Sequence, residues 1–110
     1  MDAFELPQVL AERADSQKPY LEFLRTTSLS LGVYCLPAGG VDPQTPHTED
    51  EVYYVISGTA SMTAAEEERL IGPGSTVFVP AGTDHRFHDI TKDLTLLVFF
   101  APAEYSQAAL

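Results

Sequence analysis

Apolar and polar positions alternate in short runs along most of this chain. Ser28 to Leu36, Val52 to Ile56, Thr59 to Thr63, Thr76 to Val79 and Leu94 to Phe100 are rich in Val, Leu, Ile, Thr, Tyr and Phe, residue types that fit a pleated, half-buried surface. Turn-forming residues separate these runs at Pro37 to Gly40, Ser57 and Gly58, Gly72 to Gly74, and Pro80 to Gly82. Many short strands at close spacing predict an all-β sandwich or barrel. Two stretches depart from this pattern. Leu6 to Ala14 predicts a short helical turn. Ala64 to Arg69 favours helix on propensity alone, yet the 15 residues between Gly58 and Gly74 must hold two strands, so it reads as a solvated hairpin tip.

At 110 residues the chain has room for one domain and one core. The expected division is an N-terminal segment, 1–22, forming a short helix or an arm exchanged within a dimer, then the barrel, 23–104, and a C-terminal tail, 105–110. No apolar run approaches the ~18 residues that would cross a bilayer. The stretch Met1 to Arg13 carries Asp2, Glu5 and Glu12 and no basic leader, so it does not read as a secretory signal and the expected location is the cytoplasm. Sixteen acidic residues against six basic ones give a formal net charge of −10, which repels phosphate backbones and anionic lipid. Nucleic acid and membrane are therefore not expected partners. The single cysteine, Cys35, has no internal disulfide partner and lies in the apolar run Leu31 to Leu36, which predicts a packed, inert thiol.

The chemistry is concentrated in two spaced sets. The first reads Gly39, five residues, Thr45, one residue, His47, three residues, Glu51, six residues, Gly58; the second reads Gly74, five residues, Pro80, one residue, Gly82, two residues, His85, three residues, Asp89. Positions an even number apart share a face of a strand, so Thr45, His47, Glu51, Tyr53 and Val55 are expected to point one way, with His85, Phe87 and Asp89 together on their own strand. Arg86 and His88 then face outward. Gly58 and Gly82 read as turn glycines with positive φ, and Pro80 as a strand cap. Two imidazoles and one carboxylate form a 2-His-1-carboxylate set, which suits Fe(II) and is compatible with Mn, Ni, Co, Cu or Zn.

At these residues the sequence resembles the cupin superfamily, whose two motifs have the same spacings. Thr45 stands where that family usually has its first histidine, and Asp89 where it usually has asparagine. The resemblance implies a small single-domain cupin with a double-stranded β-helix or jelly-roll barrel, and one divalent transition metal ion held by His47, Glu51 and His85. Gln44 offers an amide oxygen as a fourth ligand if Pro43 and Pro46 break the strand alternation and turn it inward. Asp89 either orients His85 or adds charge near the ion. Tyr53 either donates a phenolic proton to a bound substrate, acting with Glu51 in catalysis, or simply packs. Tyr34, Phe23, Phe78 and Phe99 are expected to line the barrel or a dimer face.

The implied function is a metal-dependent enzyme acting on a small organic molecule, with dioxygenase-type oxidation first and isomerase, epimerase or lyase chemistry beside it. From a different class, a non-catalytic module that binds a small ligand fits the same site. The implied assembly is a homodimer in which edge strands pair and the apolar strand Leu94 to Phe100 is covered together with the N-terminal segment.

Overall fold

Pro7 in the first turn opens helix α1, Leu6–Ser16, and Gln17, at φ 60°, closes it by donating its N–H to the Ala14 carbonyl. The helix runs two residues past the expected end at Ala14. The structure, a computed structural model, describes residues 1–108; of the expected tail, residues 109 and 110 lie outside the described residues. Six strands follow: β1 Tyr20–Arg25, β2 Ser30–Leu36, β3 Asp50–Ala64, β4 Glu67–Ile71, β5 Thr76–Val79 and β6 His85–Ala101. All pair antiparallel in one sheet of order β1-β2-β6-β3-β4, with β5 also on β3. The long strands β3 and β6 run the length of the barrel, and the sheet curls around a single core to give the all-β jelly roll.

The alternation seen in the sequence sets which side chains turn inward. Tyr53, Val55 and Met62 of β3 meet Phe87, Leu94, Leu96, Val98 and Phe100 of β6 in the core, each almost fully buried. On the outer side of β2, α1 packs down with Val9 buried, and Val33 of that strand has no exposed surface. Phe4 and Phe23 meet edge to face, with ring centroids 5.0 Å apart.

Several boundaries differ from the sequence expectation. β1 starts at Tyr20, inside the segment assigned to the N-terminal arm. Val52 to Ile56 and Thr59 to Thr63 are parts of one strand, because Ser57 and Gly58 form irregularities in the β3–β6 ladder and not a turn. Gly58 is required there: its φ is +94°, and a Cβ would lie 2.2 Å from the Asp93 carbonyl oxygen. The Ala64 to Arg69 stretch is a hairpin as expected, turning at Ala65 and Glu66 between β3 and β4. Leu94 to Phe100 belongs to β6, which is paired on both sides by β2 and β3, so it is an interior strand with no free edge to offer a second copy.

Candidate metal centre

Glu51 and Tyr53 sit two residues apart at the inward face of β3, opposite Phe100 and Val98 of β6. Beside them runs β5, with Val79 paired to Glu51. The short connection from Pro80 to Asp84 then delivers His85 at the first position of β6. His47 comes from the segment between β2 and β3, which has no strand pairing from 41 to 49. Its carbonyl accepts the Gly82 N–H at 2.7 Å, tying the two sequence sets to each other through the backbone.

The structure brings His47, Glu51 and His85 together, all buried, with one donor atom of each within 4.8 Å of the others. His85 Nε2 lies 3.0 Å from Glu51 Oε1, and His47 Nδ1 lies 3.6 Å from the same oxygen. Neither His47 Nδ1 nor Glu51 Oε1 has a hydrogen-bond partner, although both atoms are buried. Such atoms normally find a partner, since an unsatisfied buried polar group costs about 1–3 kcal/mol. Donors ~2.0–2.2 Å from a shared ion lie about 3 Å from one another, so the spacing and the chemistry of the set both fit a divalent transition metal.

Tyr53 has no exposed surface, and its hydroxyl lies 2.6 Å from Gln44 Oε1 and 3.0 Å from His85 Nε2. Burial, followed by the Glu51 carboxylate, raises its pKa well above the ordinary phenol value, so it stays protonated at neutral pH. For His85 burial works against the charged form, but the Glu51 carboxylate and the Thr83 carbonyl outweigh it and the pKa is raised. Gln44 does turn inward, and its amide is already engaged: Nε2 donates to Asp42 and Oε1 accepts from Tyr53. Thr45 lines the cavity mouth but is exposed and lies outside any strand. The strand parity assumed through Pro46 therefore does not apply there.

Asp89 corrects the parity argument on β6. Its φ is +48°, a left-handed conformation that interrupts the alternation, and its side chain is 78% exposed. It bonds His88 at 2.7 Å on the outer surface, while Ile90 takes the next buried position. Asp89 thus has no part in orienting His85. That work falls to the Thr83 carbonyl, 2.7 Å from His85 Nδ1. His88 faces outward as expected, half-buried against Thr63 at 2.7 Å. Cys35 is partly covered, with Thr95 as its polar neighbour.

The site opens on a cavity of about 350 Å³ whose walls include Tyr20, Tyr34, Gln44, Tyr53, Phe100, Glu104 and Tyr105. Sequence reasoning missed several of these. Asp42 is buried and accepts from the Tyr34 hydroxyl, the Gln44 amide and the Phe87 N–H at 2.9 Å, stapling the 41–47 segment to β2 and β6. The Tyr20 ring lies over Gly32, where a Cβ would come within 2.3 Å of its hydroxyl. Burial pushes the Tyr20 and Tyr34 phenols far up as well. Beyond β6 the chain folds back so that Glu104 Oε2 reaches His47 Nε2 at 2.8 Å and the Tyr105 ring stacks on His47 at 5.3 Å. The only signal for Asp42 was a carboxylate inside the first spaced set, and Glu104 and Tyr105 follow the last strand with no pattern to mark them.

Comparison with known proteins agrees with this architecture. An uncharacterized protein of Streptomyces coelicolor is 49% identical over 104 residues, spanning 94% of this chain and 99% of its own. The dimethylsulfoniopropionate lyase DddQ of Ruegeria pomeroyi is 31% identical over 74 residues, 66% of this chain and 37% of its own length. Its crystal structure superposes with a TM-score of 0.68 over 80% of this chain and 49% of that one, at 26% identity. The crystal structure of TT1209 from Thermus thermophilus matches 94% of this chain and 99% of its own with a TM-score of 0.73, at 28% identity. A cupin-domain family model, Cupin_2, matches residues 32–100. The barrel, the two spaced sets within it and these matches show that the chain belongs to the cupin-domain family.

Proposed function

We propose that this cupin is a mononuclear metal-dependent enzyme that cleaves or rearranges a small organic molecule without oxidising it, a lyase- or isomerase-type reaction. The observation that carries the reading is the pair of unpartnered buried atoms, His47 Nδ1 and Glu51 Oε1, beside His85 Nε2 and facing a cavity. His47, Glu51 and His85 would hold the ion. Fe(II), Mn, Ni, Co, Cu and Zn all suit these donors, and a bound ion would supply Lewis acidity toward a substrate oxygen. Tyr53 is the proton donor in this reading, because its phenol stays protonated and is held between His85 and Gln44. Gln44 orients that hydroxyl and has its amide oxygen turned toward the site.

The similarity to a protein named as a lyase favours this class over the dioxygenase-type oxidation that the family resemblance placed first. The chain spans about half or less of DddQ, so the activity of that whole protein is not carried over with it. A small-molecule ligand is the proposed partner in a cytoplasmic setting, and no helix among the described residues is long and apolar enough to cross a membrane. The outward side chains of Tyr54, Phe78 and Phe99 are exposed and support a homodimer formed through that sheet face.

The test is turnover of small carboxylic acids bearing a leaving group, dimethylsulfoniopropionate among them, by protein loaded in turn with Zn(II), Mn(II) and Fe(II). Product formed equally with and without O₂, and lost in the Tyr53→Phe variant, is the expected result. O₂ uptake coupled to product, seen with Fe(II) alone, would establish the oxidative reading instead. Ligands that bind tightly and are never consumed with any of these metals would establish the binding module.

A further inference from the structure

The two histidines turn different ring nitrogens toward Glu51. At His85, Nδ1 lies 2.7 Å from the Thr83 carbonyl, which only accepts, so in the neutral ring the proton sits on Nδ1 and the lone pair on Nε2. His47 is arranged the other way. Its Nε2 lies 2.8 Å from Glu104 Oε2, and an ionised carboxylate likewise only accepts, which leaves the lone pair on Nδ1, the buried atom without a partner.

Glu104 is held with more constraint than a surface carboxylate needs. Its backbone N–H donates to Ser30 Oγ at 2.8 Å, its carbonyl accepts from the Arg25 guanidinium at 2.8 Å, and the next N–H, of Tyr105, donates to buried Glu49 at 2.6 Å. The Tyr105 ring stacked on His47, 27° from parallel, limits rotation of the imidazole. We propose that Glu104 is a positioning residue of this centre: it fixes His47 in the Nε2–H form, so that His47 meets a metal through Nδ1 while His85 meets it through Nε2. A carboxylate on the far nitrogen also makes the imidazole a stronger donor. The opposite tautomer would aim an N–H at the ion and offer it no lone pair.

The assignment of ligand atoms rests on the metal reading above, whereas the tautomers exist without metal, and the experiment separates the two. Long-range ¹H–¹⁵N NMR would be recorded on metal-free protein at about pH 8.5, where an ordinary imidazole is neutral, and on the same protein with Zn(II). The expected spectra show His47 as Nε2–H and His85 with its Nδ1 protonated without metal, then zinc on His47 Nδ1 and His85 Nε2. Glu104→Ala should mix the His47 tautomers and weaken zinc about 10–100-fold, leaving the His85 tautomer unchanged. Glu104→Gln, whose amide oxygen still accepts, should keep the tautomer and lose less affinity; it also decides the matter if the alanine variant fails to fold. A metal-free His47 in the Nδ1–H form, zinc on His47 Nε2, or a folded Glu104→Ala with unchanged tautomer and affinity would overturn the role of Glu104. Wild-type protein that takes up no zinc would overturn the metal reading and, with it, the ligand-atom assignment.

Discussion

Glu51 Oε1 and His85 Nε2 face each other across 3.0 Å in the barrel interior, and the oxygen has no hydrogen-bond partner there. A buried carboxylate beside a lone pair is destabilising unless a positive charge joins them, and that charge is a proton on His85 or a metal ion. Replacing Glu51 by Gln removes the buried charge at nearly constant shape. The metal-free Glu51→Gln variant should therefore melt at the wild-type temperature or higher, while its affinity for Zn(II) or Mn(II) falls at least about tenfold. Thermal melts with and without metal, together with calorimetric titration, check both halves. A variant that melts lower but binds metal as wild type would show that Glu51 is structural.

Because His47, Glu51 and His85 converge only in the folded barrel, a metal held by them would bind the native state and raise its stability by mass action. At a free concentration one hundred times Kd the gain is about 2.7 kcal/mol, which for a chain of this size moves Tm by roughly 10 °C. Chelator should reverse the shift. His85→Ala should abolish it, because two remaining donors hold a labile divalent ion poorly. Coincident melting curves with metal and with chelator for the wild type would count against the centre.

Tyr53→Phe removes the hydroxyl that touches both Gln44 Oε1 and His85 Nε2. Both partners are left with unmet hydrogen-bonding capacity in a buried setting, at an expected cost of about 1–3 kcal/mol in denaturant unfolding. The ring and its edge-to-face contact with Phe87, at 4.9 Å, are kept, so the barrel should stay folded. If Tyr53 donates a proton in the reaction, kcat should fall about 10²–10⁴-fold with metal affinity little changed. Equal losses in metal affinity and kcat would mean that the hydroxyl serves the metal centre and not the substrate.

The barrel was legible because its signals are local. Alternating apolar runs mark β5 to the residue, all of β2, most of β3 and the C-terminal part of β6, and the glycines at positive φ sit where the two spaced sets put them. The convergence of His47, Glu51 and His85 was legible in their spacing: Glu51 and His85 sit on neighbouring antiparallel strands, and the few residues from His47 to Glu51 keep His47 beside them although it lies outside any strand. Parity failed wherever the backbone leaves the regular pleat. It misplaced Asp89, whose left-handed φ turns it outward, and it was extended to Thr45 through a segment that forms no strand. Gly58 was read as a turn because a bulge and a turn both call for φ > 0. Asp42 reaches Phe87 and Glu49 reaches Tyr105 and Gln107, 45 to 58 residues away, while Glu104 meets His47 across the fold, and no local pattern encodes such contacts.

Glu49 anchors the segment that carries Glu104 and Tyr105, and its behaviour in acid follows from that role. Burial alone would push its carboxyl up, but the Thr48 hydroxyl and the N–H groups of Gln107 and Tyr105 outweigh burial and hold it below the ordinary carboxylate value. A carboxyl that is harder to protonate when folded contributes stability that is fully present above its unfolded pKa, about 4.3, and is lost as pH falls through the lower folded value. The segment from Ala103 to Ala108 should accordingly stay closed at neutral pH and loosen in acid, as pH falls through that lowered value. Amide hydrogen exchange of Tyr105 and Gln107 reports this directly, as protection factors that drop in acid before the core strands lose theirs. Glu49→Gln weakens both N–H acceptors and buries an amide beside them, so it should cost about 1–3 kcal/mol and remove the acid step. Because Glu104 rides on the same segment, zinc affinity should weaken in this variant too, although Glu49 lies outside the set of three donors. Unchanged protection of Tyr105 and Gln107 in Glu49→Gln, with the same fall in acid, would show that another group holds the segment.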